Sequence, residues 1–308
     1  MRQSADPVAG QADRFAAIDP LLPAPAGPVD GETLVATLAD GSRVTGVLRV
    51  TLTDPHAPEA LWSALETWEL TPFPGEHGTE GMDALLRACR ARLDAASPGL
   101  DSALVVTWPS RDAEATRALL DHGLVPLSAL AVRTGRRRTA PGNPEVVVRR
   151  ARAEDTETVV RLERVEMEYS TRVGNIRPRP GAAERRRATL REQLVAGLPV
   201  WIAELDGTAV GIADGGWTDV VAGTRAASLL PAGRWGYLHS VAVLPDARGR
   251  GVGRAITAEA HATLARRRIR GTYLYYNPPN PLSSVFWHRQ GYRPLWTIWE
   301  ARPATALR

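Results

Sequence analysis

Lysine is absent from the 308 residues, so all 38 side chains counted together as lysine or arginine are arginine. Schiff-base catalysis and acetylation of the chain's own lysines are thereby excluded. Arginine offers instead a flat, permanently charged fork that suits phosphate groups. Cysteine is nearly as scarce: Cys89 stands alone, and no internal disulfide can form. Nor is there an apolar run near the ~20 residues that a bilayer-spanning helix needs. The first residues lack the basic-then-apolar order of a secretory signal. A cytoplasmic protein without a membrane partner is the expectation.

Strong charge of either sign is missing too. The formal net charge is +4, and the triplets Arg136 to Arg138, Arg185 to Arg187 and Arg266 to Arg268 read as solvated faces rather than a nucleic-acid grip. No nucleic-acid partner is expected. What is present is an ordinary globular composition, 44% hydrophobic and 23% charged, over a length natural for two domains.

Residues 1–31 are rich in Ala, Pro and Gly with little apolar periodicity, and read as a flexible arm. Turn formers and charge in TGRRRTAPGNP mark 135–144 as a linker. Two domains follow from these breaks, 32–134 and 145–308. In the second, apolar periodicity, caps and turn pairs predict the order β-α-α-β-β-β-α-β-α-β, with Asp206-Gly207 as a tight hairpin turn.

The halves resemble each other. ALVVTWPSRDAEATRALLDHGLVPLSALAVR from 103 aligns without a gap on GTYLYYNPPNPLSSVFWHRQGYRPLWTIWEA from 271, setting Gly123 on Gly291 and Pro126 on Pro294. Upstream, Asp40-Gly41 meets Asp206-Gly207. A duplicated fold is the reading. Where the second half has ARGRGVGRA, however, the first has PGEHGTEGM, which puts Glu76 and Glu80 into the turn. A carboxylate there repels an anion, and too few residues precede 32 for a complete copy. The first half is therefore a truncated, structural copy.

Arg248-Gly249-Arg250-Gly251-Val252-Gly253 lies between an apolar strand and an amphipathic helix. Glycines let backbone N–H groups converge, and a helix start adds its positive dipole end, so the segment is suited to a diphosphate. It lacks the Lys-Ser/Thr of a Walker loop and the parallel βαβ context of a dinucleotide fingerprint.

VAVLPDARGRGVGRAI resembles the acetyl-CoA motif of the GCN5-related N-acetyltransferases (GNAT), R/Q-x-x-G-x-G/A, with Arg248, Gly251 and Gly253 at its defining positions. The resemblance runs from VVVRRARAEDTETVVRL to HRQGYRPL, about 145–303. It implies a mixed α/β (α+β) sheet fold, here two GNAT-like acyl-CoA N-acyltransferase domains in tandem with the first truncated. It also implies acetyl-CoA as co-substrate and no metal. The implied cofactor set is Val241, Ala242, Val243, Arg248, Gly249, Arg250, Gly251, Val252, Gly253, Arg254, Asn280 and Ser283. Asn280, followed by Pro281, equally fits a helix N-cap.

Acetyl transfer to an amine needs a base, and sometimes an acid for the departing thiolate. His239, on the strand preceding the motif, matches a histidine of arylalkylamine N-acetyltransferases and titrates near neutral pH. Glu168, Glu166 and Asp214 are alternatives acting through water. The family's usual tyrosine is replaced by Trp287, whose N–H is far too weak an acid. Tyr276, beside Tyr275, then stands as the acid candidate, with Ser283 and Ser284 nearby, unless the thiolate leaves unaided. The expected acceptor is a small-molecule amine, in a pocket formed by the first two helices and the loop 218–234. Trp217, Trp235, Trp296 and Trp299 are candidates for its wall or for core. Acylation of a protein amine and a non-catalytic acyl-CoA-binding regulator remain as alternatives, and a homodimer is left open.

Overall fold

A computed structural model describes residues 7–25, 30–135, 142–174 and 176–308. Most of the expected linker, 136–141 with Arg136 to Arg138, lies outside the described residues. The chain divides by its contacts into two units. Unit 1 is Met1–Leu130, Ala222–Pro231 and Pro294–Arg308, and unit 2 is Ala131–Val221 and Ala232–Arg293.

The elements of the first half are α1 (Pro7–Ile18), β1 (Glu32–Thr37), β2 (Arg43–Leu52), β3 (Glu66–Phe73), α2 (Gly78–Ala96), β4 (Ser102–Pro109), α3 (Ala113–Asp121) and β5 (Val125–Thr134). Those of the second are β6 (Val147–Arg150), α4 (Thr156–Arg172), α5 (Ala182–Val195), β7 (Val200–Leu205), β8 (Thr208–Val220), β9 (Gly233–Val243), α6 (Val252–Ala265), β10 (Gly271–Tyr276), α7 (Pro281–Arg289) and β11 (Arg293–Ala301). The second half follows the expected order element for element. From β1 to β5 the first half repeats the order from β7 to β11.

Local chemistry accounts for these elements. Asp206 and Gly207 both have positive φ, 53° and 71°, as a two-residue hairpin turn requires. In α6, Val252, Ile256, Ala260 and Leu264 are buried at intervals of four, which lays one apolar stripe on the sheet. In α4 and α5, Val159, Leu162, Leu190 and Leu194 pack on Val200, Ile202 and Ile212 of β7 and β8. The repeat is visible in a shared helix stop. Gly123 and Gly291 have φ of 82° and 88°. The residues after them donate to equivalent carbonyls, Leu124 N–H to Leu119 and Tyr292 N–H to Trp287, the bond pattern of a left-handed helix end.

Two expectations are corrected. The arm 1–31 contains a docked helix: Phe15 of α1 packs edge-on against Trp108 and Trp296 at 5.4 Å. Arg14 also donates to Asp112 through Nε at 2.9 Å and Nη2 at 2.7 Å. Isolated aromatic and polar contacts of this kind hold the helix, and they produce no periodic pattern. The second correction concerns the boundary 145–308. The closing strand β11 belongs to unit 1, where it pairs antiparallel with β4 from Trp296↔Pro109 to Ala301↔Leu104. The duplication explains this. β5 and β11 hold equivalent places in the repeated order and share one sequence pattern, which gives no means of telling which one lies beside β4.

The unit 2 sheet runs β10-β9-β8-β7-β6, with β10 parallel to β9 and the other pairs antiparallel. Its parallel pair carries the site.

Candidate active site

β9 and β10 hold parallel register only at Thr272↔Gly236 and Tyr273↔Tyr237. Beyond Tyr237, the β10 side of β9 has no strand partner in that ladder. The corresponding pair of the first half, β3 and β4, stays in register from Glu66↔Ser102 to Leu70↔Val106. A parted pair exposes backbone amides that an amide-bearing ligand can satisfy; a closed pair offers none.

After β9, Pro245 to Ala247 form a single 3-10 turn, and the chain passes through Gly249 (φ 78°) and Gly251 (φ 83°) into α6. Both angles are left-handed, where a Cβ is strained. Gly251 is the N-cap of α6, and no side chain caps this helix start. α3 and α7 differ, with Asp112 and Asn280 accepting from their first amides. Arg248 Nε donates to the Val243 carbonyl at 3.1 Å and its guanidinium lies over Tyr169, tying the turn to β9 and α4. The result is a set of converging N–H groups at a positive dipole end, suited to a diphosphate.

The first half has filled its equivalent turn. Gly75 N–H donates to Oε1 of the fully buried Gln11 from α1 at 3.2 Å. A Cβ on Gly78 would stand 2.5 Å from a Glu114 carboxylate oxygen. Side chains of the protein therefore occupy the ground that an anion would need.

A cavity of about 930 Å³ opens on the parted strand and the turn in unit 2. Val241, Ala242, Val243, Arg248, Gly249, Gly251, Val252, Gly253, Arg254, Asn280 and Ser283 all line it. Arg250 does not: its guanidinium points to Asp206 at 3.5 Å and its carbonyl accepts from Asn143 Nδ2 at 3.1 Å. Asn280 is the N-cap of α7, Oδ1 accepting from Leu282 and Ser283. Sequence pattern did not point to Tyr169 and Ser170 of α4, which also line the cavity.

A second cavity, about 480 Å³, holds His239 and Asp214. The register of β8 and β9 passes from Asp214↔Ser240 to Gly215↔Leu238, so His239 is the extra residue of a bulge. Gly215 is required there, because a Cβ would meet the Tyr237 carbonyl oxygen at 2.3 Å. His239 Nδ1 lies 2.9 Å from Oδ2 of the buried Asp214. Arg186 Nη2 stands 3.9 Å from the same oxygen, while Arg186 Nε donates to both oxygens of the buried Glu163 at 2.9 and 3.0 Å. The nearby Asp214 charge raises the His239 pKa above its ordinary value, against the opposing effect of burial. With Nδ1–H given to Asp214, the imidazole lone pair is on Nε2, the atom able to take a proton.

The other catalytic candidates are placed elsewhere. Glu168 is exposed and pairs with Arg164 on the same helix. Tyr276 is buried, its ring 5.9 Å from that of His288, and lines neither cavity. Glu166, on the cavity face of α4, accepts from Ser170 Oγ at 2.5 Å, and burial pushes its carboxyl up. Trp287 lines the larger cavity. Of the four tryptophans, only Trp217 reaches the smaller cavity; Trp235, Trp296 and Trp299 are core. Asp219 and Arg234 from either end of the loop 218–234 line that cavity, as does Arg186 of α5.

A mixed sheet with a parted parallel pair and an uncapped amide turn has the backbone donors that suit a diphosphate-bearing, amide-containing ligand. The chain matches, over residues 196–294, the family model described as "Acetyltransferase (GNAT) domain". It is 36% identical over 91 residues to a mycothiol acetyltransferase of Cellulomonas flavigena, a stretch that is 30% of this chain and only a quarter (25%) of that relative. The fold is similar to that of a GCN5-related N-acetyltransferase from Sphaerobacter thermophilus. There the TM-score is 0.55 at 15% identity, over 90% of this chain and 83% of the other. A tandem GNAT protein from the clavulanic acid biosynthesis pathway aligns over 96% of this chain and 94% of its own, with TM-score 0.47 and 17% identity.

Proposed function

We propose that the second half moves an acetyl group from acetyl-CoA to an amine of a small molecule, by direct attack in a ternary complex. One observation carries this reading: on the single strand β9, His239 lines one cavity and Val241 to Val243, two residues further on, line the other. An acceptor and a thioester held in the two cavities approach along that strand.

The chain's residues fit the co-substrate. The amides at the start of α6 and the dipole behind them suit its diphosphate, and the unpaired side of β9 suits its amide-bearing arm. Acetyl-CoA supplies the acyl group in activated form. His239 Nε2 takes the proton released when the acceptor nitrogen bonds to the acyl carbon, and Asp214 balances the imidazolium so formed. Glu166, its carboxyl raised by burial, faces the larger cavity as the acid for the thiolate. The partial relative from Cellulomonas, by its name an acetyltransferase, supports the same class.

The test uses the full chain. Calorimetry with acetyl-CoA, followed by release of free CoA across a panel of amines, is expected to show binding and amine-dependent turnover. Binding without turnover by any amine would point to an acyl-CoA-binding regulator. Absence of binding would end the reading altogether.

A further inference from the structure

We infer that the acceptor is an amine carrying a carboxylate or phosphate several bonds from its nitrogen, and that Arg267 holds this anion; the inference rests on the transferase reading above. It comes from following each charge in the smaller cavity. Three arginines and two aspartates line it. Arg186 is matched by Glu163 through paired contacts at 2.9 and 3.0 Å. Arg234 is matched by Asp219, Nε to Oδ1 at 2.7 Å and Nη2 to Oδ2 at 2.9 Å.

Arg267 differs. Among the described residues no carboxylate pairs with it, and its guanidinium lies 4.4 Å from the centre of the Trp217 ring. Trp217 is itself fixed, Nε1 donating to the Leu264 carbonyl at 3.1 Å. A guanidinium placed over an aromatic face keeps N–H groups available, and its planar fork binds carboxylate or phosphate through two bonds. Holding the side chain in advance also reduces the entropy lost when an anion binds.

The opposite end of the cavity has the opposite character. There the Asp214 carboxyl lies beside the His239 ring, a pair suited to an ammonium awaiting deprotonation. Asp214 and Trp217 are three residues apart on β8, about 10 Å at the rise of a strand, and face opposite sides of it, Asp214 towards Arg186 and Trp217 towards Leu264. The cavity joins them round the edge of β8 that β7 leaves open beyond Val200↔Asp214. An α-amino acid, whose nitrogen and carboxylate flank a single carbon, is too short to reach both. A longer amino acid or an aminoalkyl phosphate fits.

The experiment compares matched acceptors with the full chain: aminohexanoate, aminopentyl phosphate and the neutral aminohexanol, each with its amine at the chain end. CoA release gives kcat and KM. The expected result is a KM for one or both anionic acceptors about tenfold or more below that of aminohexanol, the scale of a charge-assisted bond. Preference for one anion identifies its source as carboxylate or phosphate. Arg267→Gln is expected to collapse the ratio between anionic and neutral acceptors towards one, and Arg267→Glu to shift preference to diaminohexane. Arg267 is exposed, so neither change threatens the fold.

Equal KM for the alcohol and both anionic acceptors, or a ratio unmoved by Arg267→Gln, overturns the inference. Turnover of other amines but none of these three also overturns it, and leaves the transferase reading standing. Failure of acetyl-CoA to bind removes that reading and this inference with it.

Discussion

Nδ1 of His239 and Oδ2 of Asp214 are 2.9 Å apart, at the point where β9 bulges against β8. The carboxylate raises the imidazole pKa, so the histidine becomes a neutral base only at higher pH than an isolated one. Removing the charge reverses this. In Asp214→Asn the acid limb of the kcat/KM profile moves to lower pH, while the maximal rate falls roughly ten- to a hundredfold as the ring loses its orienting partner. His239→Gln abolishes the limb and lowers kcat by about 10²–10⁴. The same shift bears on stability. A histidine raised above its unfolded value stabilises the fold below that value and loses the contribution as pH rises through the folded one. The melting difference between wild type and His239→Gln is therefore largest in mild acid. An Asp214→Asn profile overlying the wild type would separate the pair from catalysis.

The amide turn makes a prediction that distinguishes the two halves. A carboxylate introduced by Gly251→Glu enters the ground of the diphosphate and adds a side chain at a φ of 83°. Acetyl-CoA affinity drops at least tenfold by calorimetry, since like charges at this range cost on the order of 1–4 kcal/mol. Glu76→Gln, at the corresponding turn of the first half, leaves affinity unchanged, because Gln11 and Glu114 fill that site. Altered affinity in Glu76→Gln would show that the first half takes part in binding.

Gly215 has no room for even one carbon. A methyl group there falls 2.3 Å from the Tyr237 carbonyl oxygen, so β8 and β9 must separate where His239 is positioned. Gly215→Ala is expected to lose roughly 1–3 kcal/mol of stability and, at temperatures where it remains folded, most of its turnover. Retained kcat would mean that the bulge does not set the base.

Much of this was legible in the chain. The strand and helix order from Val147 to Ala301 follows from apolar period, caps and the Asp206-Gly207 turn, and the amide turn follows from glycines between a strand and a helix. Local pattern carries that information. It does not carry the destination of β11, since β5 and β11 share one pattern, nor the partner of His239, since Asp214 lies 25 residues away. Arg186 and Arg267 were hidden in triplets of arginine that read as solvated faces. The middle residue of each described triplet lines the smaller cavity, and only tertiary packing selects it.

α1 tests how a segment without periodicity is held. Phe15 is 6% exposed between Trp108 and Trp296. Phe15→Ala is expected to cost about 3 kcal/mol or more and to expose α1 to proteolysis, with acetyl-CoA affinity retained. Loss of that affinity alongside stability would tie the first half to the cofactor site.

The proton for the departing thiolate poses the sharpest test. Trp287 lines the larger cavity in place of the family's tyrosine and offers no usable acid. Glu166 lines the same cavity, with Ser170 bonded to it and His239, Asp214 and Arg186 as the charged groups acting on it. Burial raises its carboxyl, so it keeps a proton to higher pH than a solvated glutamate and loses it as pH rises further. A base that must be neutral and an acid that must be protonated give a bell-shaped profile. Glu166→Gln removes the alkaline limb and lowers kcat about tenfold or more. Adding Trp287→Tyr to Glu166→Gln restores part of the rate by returning a hydroxyl to the cavity. If Glu166→Gln keeps both limbs and its kcat, the thiolate leaves without an acid, and Trp287→Tyr alone should then accelerate turnover.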